Sequence, residues 1–185
     1  AVQDVNTTLL NSIRAGAAGP PPRAARAIAM VSTATFDAVN AGSHMGYQGY
    51  SYNGPAVNGL SKDALALSAG YTMMANLFPT LAGSLNTQLS TRLDALSLNS
   101  AVRANSVALG SSIALNFYNA RLTDGAAVAQ SPYTPGTDPG DFQLVQPGQP
   151  VLPSWGAVTT FAATSNSQFG NGAPPALGSA EFIAD

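Results

Sequence analysis

Apolar residues recur at helical spacing through the first 125 positions and lose all periodicity after them. Val5, Leu9, Leu10 and Ile13 form one stripe behind Asp4 or Asn6, either of which can cap a helix, and predict a first helix at 5–17. Gly16 to Pro20 closes it. Three prolines, Pro20 to Pro22, then open a second helix at 21–41, because proline is tolerated in a first turn and hardly anywhere else in a helix. Ala27, Met30, Val31, Ala34 and Ala38 lie on one of its faces, and Gly42 stops it. Its many alanines allow close neighbours on most sides, so this stretch is expected to be the central helix, with Arg23, Arg26 and Asp37 needing partners wherever they are buried.

A loop rich in glycine, asparagine and tyrosine follows from Gly42 to Gly59, with Tyr47, Tyr50 and Tyr52 either packed down or exposed. Ser61 is placed to cap a third helix at 62–78 with Asp63 in its first turn, and Pro79 ends it. A fourth helix at 81–97 is expected from Thr80 as cap and from Leu81, Leu85, Leu89, Leu93 and Leu96. The fifth, at 100–123, carries Val102, Val107, Ile113, Phe117 and Tyr118 and runs up to Asp124-Gly125. Met30, Val31, Leu85, Leu89, Ile113 and Phe117 are expected to share a core. From Gly125 on, eight prolines interleaved with glycines leave no room for a helix of ordinary length before Ser179.

The fold class is therefore all-α: a bundle of about five helices at 1–125, followed by a long irregular Pro/Gly-rich segment at 126–185. That segment is not composed like a disordered tail. Tyr133, Phe142, Leu144, Val151, Leu152, Trp155, Phe161, Phe169 and Leu177 call for burial against something, whereas the prolines and glycines keep it from building its own helix or sheet. It is expected to wrap a larger body as an ordered extended stretch with Trp155 packed, leaving apolar surface near Asp185 for other polypeptide to cover: a missing carboxy-terminal half or another copy of the chain in a homo-oligomer.

Composition narrows the classes. Charged residues make up 9% of the 185, against about 25% in an average protein. With a net charge of −2 and one lysine, Lys62, there is no basic surface for nucleic acid. No apolar run approaches the ~20 residues that span a bilayer. Cysteine is absent, which removes disulfides and thiolate metal sites. The small polar residues that replace charge, together with a start at Ala1 such as signal cleavage leaves, favour a secreted or periplasmic protein.

The candidate chemistry is thin. His44 is the single histidine and sits in the Gly-rich loop, where it is expected to be solvated, since a metal site needs several converging ligands. Arg23 and Arg26 stand near a helix N-terminus whose prolines lack the donors that bind anions, so ion pairs, with Asp37 as a partner, are expected. Asp138 and Asp141 in T-D-P-G-D have the look of a calcium loop, but without further carboxylates nearby turn formation is expected. Trp155 is expected to anchor a core. No catalytic, cofactor-binding or metal-ligating residue is assigned.

A series of motifs in order carries a resemblance: GPPPRAARAIAM with FDAVNA, LFP at Leu77 to Pro79, RLTDG at Arg121 to Gly125, PSWG at Pro153 to Gly156 with Phe161, and PPAL at Pro174 to Leu177. Together they resemble the amino-terminal half of bacterial vanadium-dependent haloperoxidase-like proteins, of the type 2 phosphatidic acid phosphatase superfamily. Ser32 and Thr33 stand where relatives often have His and Ala, and Thr160 where a proline is common. The resemblance implies a helical bundle and, for a full-length relative, a vanadate site in the carboxy-terminal half at which hydrogen peroxide oxidises halide. A phosphatase of the same superfamily would use the same pocket with a histidine nucleophile. The family's Lys-Arg pair and Ser-Gly-His segment are not in this sequence, and Lys62 lacks their context, so no catalytic residue carries over. A non-catalytic extracellular structural or assembly module is the alternative from another class.

Overall fold

The computed structural model describes residues 1–43, 46–145, 148–170 and 172–184. Five long helices form, α1 (Val2–Arg14), α2 (Pro21–Ala41), α3 (Lys62–Leu77), α4 (Ala82–Ala95) and α5 (Ser100–Ala120), with a short α6 (Ala180–Ala184) near the end. The described residues contain no β-strand, and none of their helices is long and apolar enough to cross a membrane. The chain divides into two compact units, Ala1–Thr123 and Asp124–Asp185.

The local signals act much as polar punctuation should. Pro21 and Pro22 occupy the first turn of α2, where their missing N–H groups have no helical partner to lose. The Ser61 hydroxyl accepts from the Ala64 amide at 3.2 Å, and the Asn99 side chain accepts from the Val102 amide at 2.9 Å, so α3 and α5 are both capped. Two caps differ from expectation. α1 starts at Val2 with no side-chain cap, because the Asp4 carboxylate is drawn to groups on α3 and α4. Thr80 lies inside a 3₁₀ turn, Pro79–Leu81, that leads into α4 without a side-chain cap.

The central helix of the first unit is α3, which corrects the expectation that α2 holds that place. α3 packs against α1, α2, α4 and α5. Every residue from Ala64 to Tyr71 is buried, including Leu65 and Tyr71. The physical reason is the lack of a polar face: past Asp63 this helix has no charge to keep in water, so it can be surrounded. α2, in contrast, buries Met30, Val31, Ala34 and Ala38 and leaves Ile28 and Phe36 exposed on its other side. Two glycines permit the close approach. A Cβ on Gly70 would overlap the Val5 side chain of α1, and one on Gly110 of α5 would stand 2.8 Å from the Leu65 carbonyl oxygen of α3.

Met30, Val31, Leu85, Ile113 and Phe117 are all buried, whereas Leu89 is half-buried. Leu85 and Leu93 of α4 are buried, while Leu89, on the same side of the helix between them, borders an open groove beside α5 that no neighbour fills.

The second unit is held by turns and by side-chain bonds between its loops. The Asp124 carbonyl accepts from the Thr159 amide at 2.8 Å, and the Asp124 carboxylate accepts from the Ala126 amide at 3.0 Å. Side-chain amides do much of what a backbone ladder would: Gln130 accepts from Ser154, Gln149 from Tyr133 and Gln168 from Thr164, all through main-chain N–H groups. The Tyr133 and Phe142 rings meet edge to face at 5.6 Å. Trp155 starts a 3₁₀ turn, Trp155–Ala157, and is half-buried, as is Phe161. Phe142, Val145, Val151, Phe169, Leu177 and Ile183 remain exposed, Val145 and Phe169 at 94% and 83%. Among the described residues of this unit, Asp124 and Val158 alone are buried.

Candidate functional site

Two polar constellations stand out in the first unit. The larger begins at Asp37, which the interior face of α2 places wholly out of water. A buried carboxylate needs donors, and the returning loop supplies them. Its Oδ1 accepts from the Tyr50 amide at 2.8 Å. Its Oδ2 accepts from the amides of Ser51 at 2.7 Å and Tyr52 at 3.1 Å, and from the Ser51 hydroxyl at 2.6 Å. The expected pairing of Asp37 with Arg23 or Arg26 is therefore replaced by three amides and a hydroxyl. Arg26 donates instead to the Arg121 carbonyl at 2.9 Å, and Arg23 is exposed.

One turn beyond Asp37, the Asn40 side chain donates to the Tyr47 carbonyl at 2.7 Å. Gly49 completes the clamp, since a Cβ there would overlap the Tyr52 carbonyl. The loop pinned this way borders a pocket of about 350 Å³, lined by Asn40, Tyr47, Gln48, Gly49, Tyr52 and Asn53 among others. Of the three loop tyrosines, Tyr47 is 60% exposed, Tyr50 sets its ring against Phe117 at 5.5 Å, and Tyr52 donates to the Pro55 carbonyl at 3.2 Å.

The smaller constellation joins α1, α3 and α4. The Tyr71 hydroxyl lies 2.9 Å from the Thr8 hydroxyl and donates to the Asp4 carboxylate at 3.0 Å. Arg92 pairs with the same carboxylate and stacks over the Tyr71 ring at 5.4 Å. Burial pushes the Tyr71 phenol up to about 12, and the bond to Asp4 and its negative charge reinforce this against the opposing pulls of Thr8 and Arg92. The bond to Asp4 also raises the Arg92 guanidinium. A fully buried phenol held protonated cannot reach a substrate, so this cluster ties three helices together.

The remaining candidates fall out as follows. His44 lies outside the described residues. Asp141 turns back to accept from the Asp138 amide at 2.8 Å, the turn-forming role expected of it. Lys62 is exposed at the start of α3. Among the described residues no three of His, Cys, Asp and Glu gather as metal ligands would. Sequence reasoning missed both the loop clamp and the tyrosine cluster. The clamp's donors are mostly main-chain groups, and Asp4 is 67 positions from Tyr71 and 88 from Arg92. Compared with models of known protein families, with curated protein sequences and with solved structures, the chain matches none.

Proposed function

We propose that this chain is the amino-terminal helical part of a secreted vanadium-haloperoxidase-like protein, in which the halide-oxidising vanadate site belongs to a carboxy-terminal half. The observation that carries the reading is the order of its motifs, from GPPPRAARAIAM through FDAVNA, LFP, RLTDG and PSWG to PPAL, across most of the chain. The exposed Phe142, Val145, Phe169 and Leu177 agree with it, because large apolar side chains left in water forgo stabilisation that further polypeptide or a second copy of the chain would supply by covering them. On this reading further polypeptide covers the exposed apolar side chains of the second unit.

The described residues do not fit vanadate by themselves. An oxyanion needs converging cations, yet Arg92 and Arg103 are each held by a carboxylate, Asp4 and Asp94, and Arg26 donates to a carbonyl.

The test is to express the complete polypeptide encoded by the gene, add vanadate, and follow bromination of an activated diketone by hydrogen peroxide and bromide. Vanadate-dependent bromination is expected. Hydrolysis of p-nitrophenyl phosphate without bromination would replace it by the phosphatase of the same superfamily, and neither activity would leave the structural or assembly module.

A further inference from the structure

We propose that the pocket at the C-terminal end of α2 binds a neutral polyhydroxylated molecule of monosaccharide size. The site does not depend on the haloperoxidase-like reading. Its volume, about 350 Å³, lies near the lower end of small-molecule pockets, room for one sugar ring and a few waters.

The lining selects against charge. Among the described residues no ionised side chain borders the pocket, and the nearby Asp37 carboxylate is buried with its oxygens taken by four donors. A phosphate, amine or carboxylate would give up its hydration for no counter-charge. Hydrogen-bonding groups are nonetheless plentiful. Among the described residues, the amides of Gln48 and Asn53 and the Tyr47 hydroxyl have no protein partner, and Asn40 uses its N–H on Tyr47 while its carbonyl remains available. A primary amide both donates and accepts, as does each sugar hydroxyl, so neighbouring hydroxyls find complementary partners. The exposed ring of Tyr47 adds an apolar face for the C–H side of a pyranose, and Tyr52 forms a fixed wall through its bond to Pro55.

The site is also pre-organised. Asp37 and Asn40 hold the loop backbone from the rigid end of α2, and Gly49 admits no side chain. A ligand then meets walls already in place, which lowers the cost of ordering them.

Saturation-transfer NMR on the 185-residue chain tests this with methyl glycosides of glucose, galactose, mannose and N-acetylglucosamine at about 5 mM, the range for a weak single-ring site. Uridine serves as the neutral aromatic comparison. Transfer to at least one glycoside is expected, falling about five-fold or more in Gln48→Ala and Asn53→Ala, which remove ligand groups bonded to nothing else among the described residues. Leu115→Ala, on the outer face of α5, is expected to leave it unchanged, and circular dichroism verifies that each variant keeps its helices. No transfer to any glycoside, transfer that survives both amide truncations, or transfer to uridine alone would overturn the proposal.

Discussion

The first unit and the second draw on similar kinds of apolar residue and use them in opposite ways. In the first, Leu65, Met73, Met74 and Tyr71 are fully enclosed by helices that satisfy their own backbone. In the second, Phe169 and Val145 stand almost bare, and most order comes from turns and side-chain amides. Periodicity makes the difference: a helix gathers its apolar residues on a face, whereas proline-broken backbone scatters them. The first unit is thus a core in its own right, whereas among the described residues of the second only Asp124 and Val158 are buried.

Mutations in this 185-residue chain can break that contrast. The largest effect is expected for Leu65→Ala, about 2–5 kcal/mol by chemical denaturation, since the hub helix has no freedom to collapse around the void. Asp37→Ala is expected to cost about 2–4 kcal/mol, by leaving the Tyr50, Ser51 and Tyr52 amides without their acceptor. Asp37→Asn, which keeps an acceptor, is expected to cost less.

The Tyr71 phenol sharpens the contrast through pH. Its folded value near 12 lies above the ordinary 10, so between these the unfolded chain loses the proton first. Stability from this group is complete below pH 10 and declines as pH rises to 12, by roughly 2–3 kcal/mol. The difference between wild type and Tyr71→Phe, measured by urea unfolding across that range, is expected to show this decline. The smallest effect is expected at Phe169→Ser, within about 0.5 kcal/mol for the isolated chain, because the ring is already in water. A cost near that of Leu65→Ala would erase the distinction between the units.

The helices were largely legible because their ends are written in local chemistry: prolines before α2, Ser61 before α3, Asn99 before α5. Their ranking was not. The alanines of α2 suggested a central helix, but α3 takes the centre because it has no charge to keep in water past Asp63, an all-round property that a search for one apolar stripe passes over. Leu89 misled because its stripe meets an open groove at that level rather than a packed neighbour, and spacing does not show what lies opposite a face. At the candidate site, Asp37 was visible as a charge needing partners. That those partners are loop amides was not, since main-chain donors leave no residue-type signature.

The central claim, that this chain works as part of a larger body, is tested most directly by the intact mass of the protein isolated from its source. The account predicts a mass well above 18.7 kDa, or an 18.7 kDa chain that copurifies with a partner fragment. A lone monomer of 18.7 kDa would contradict it.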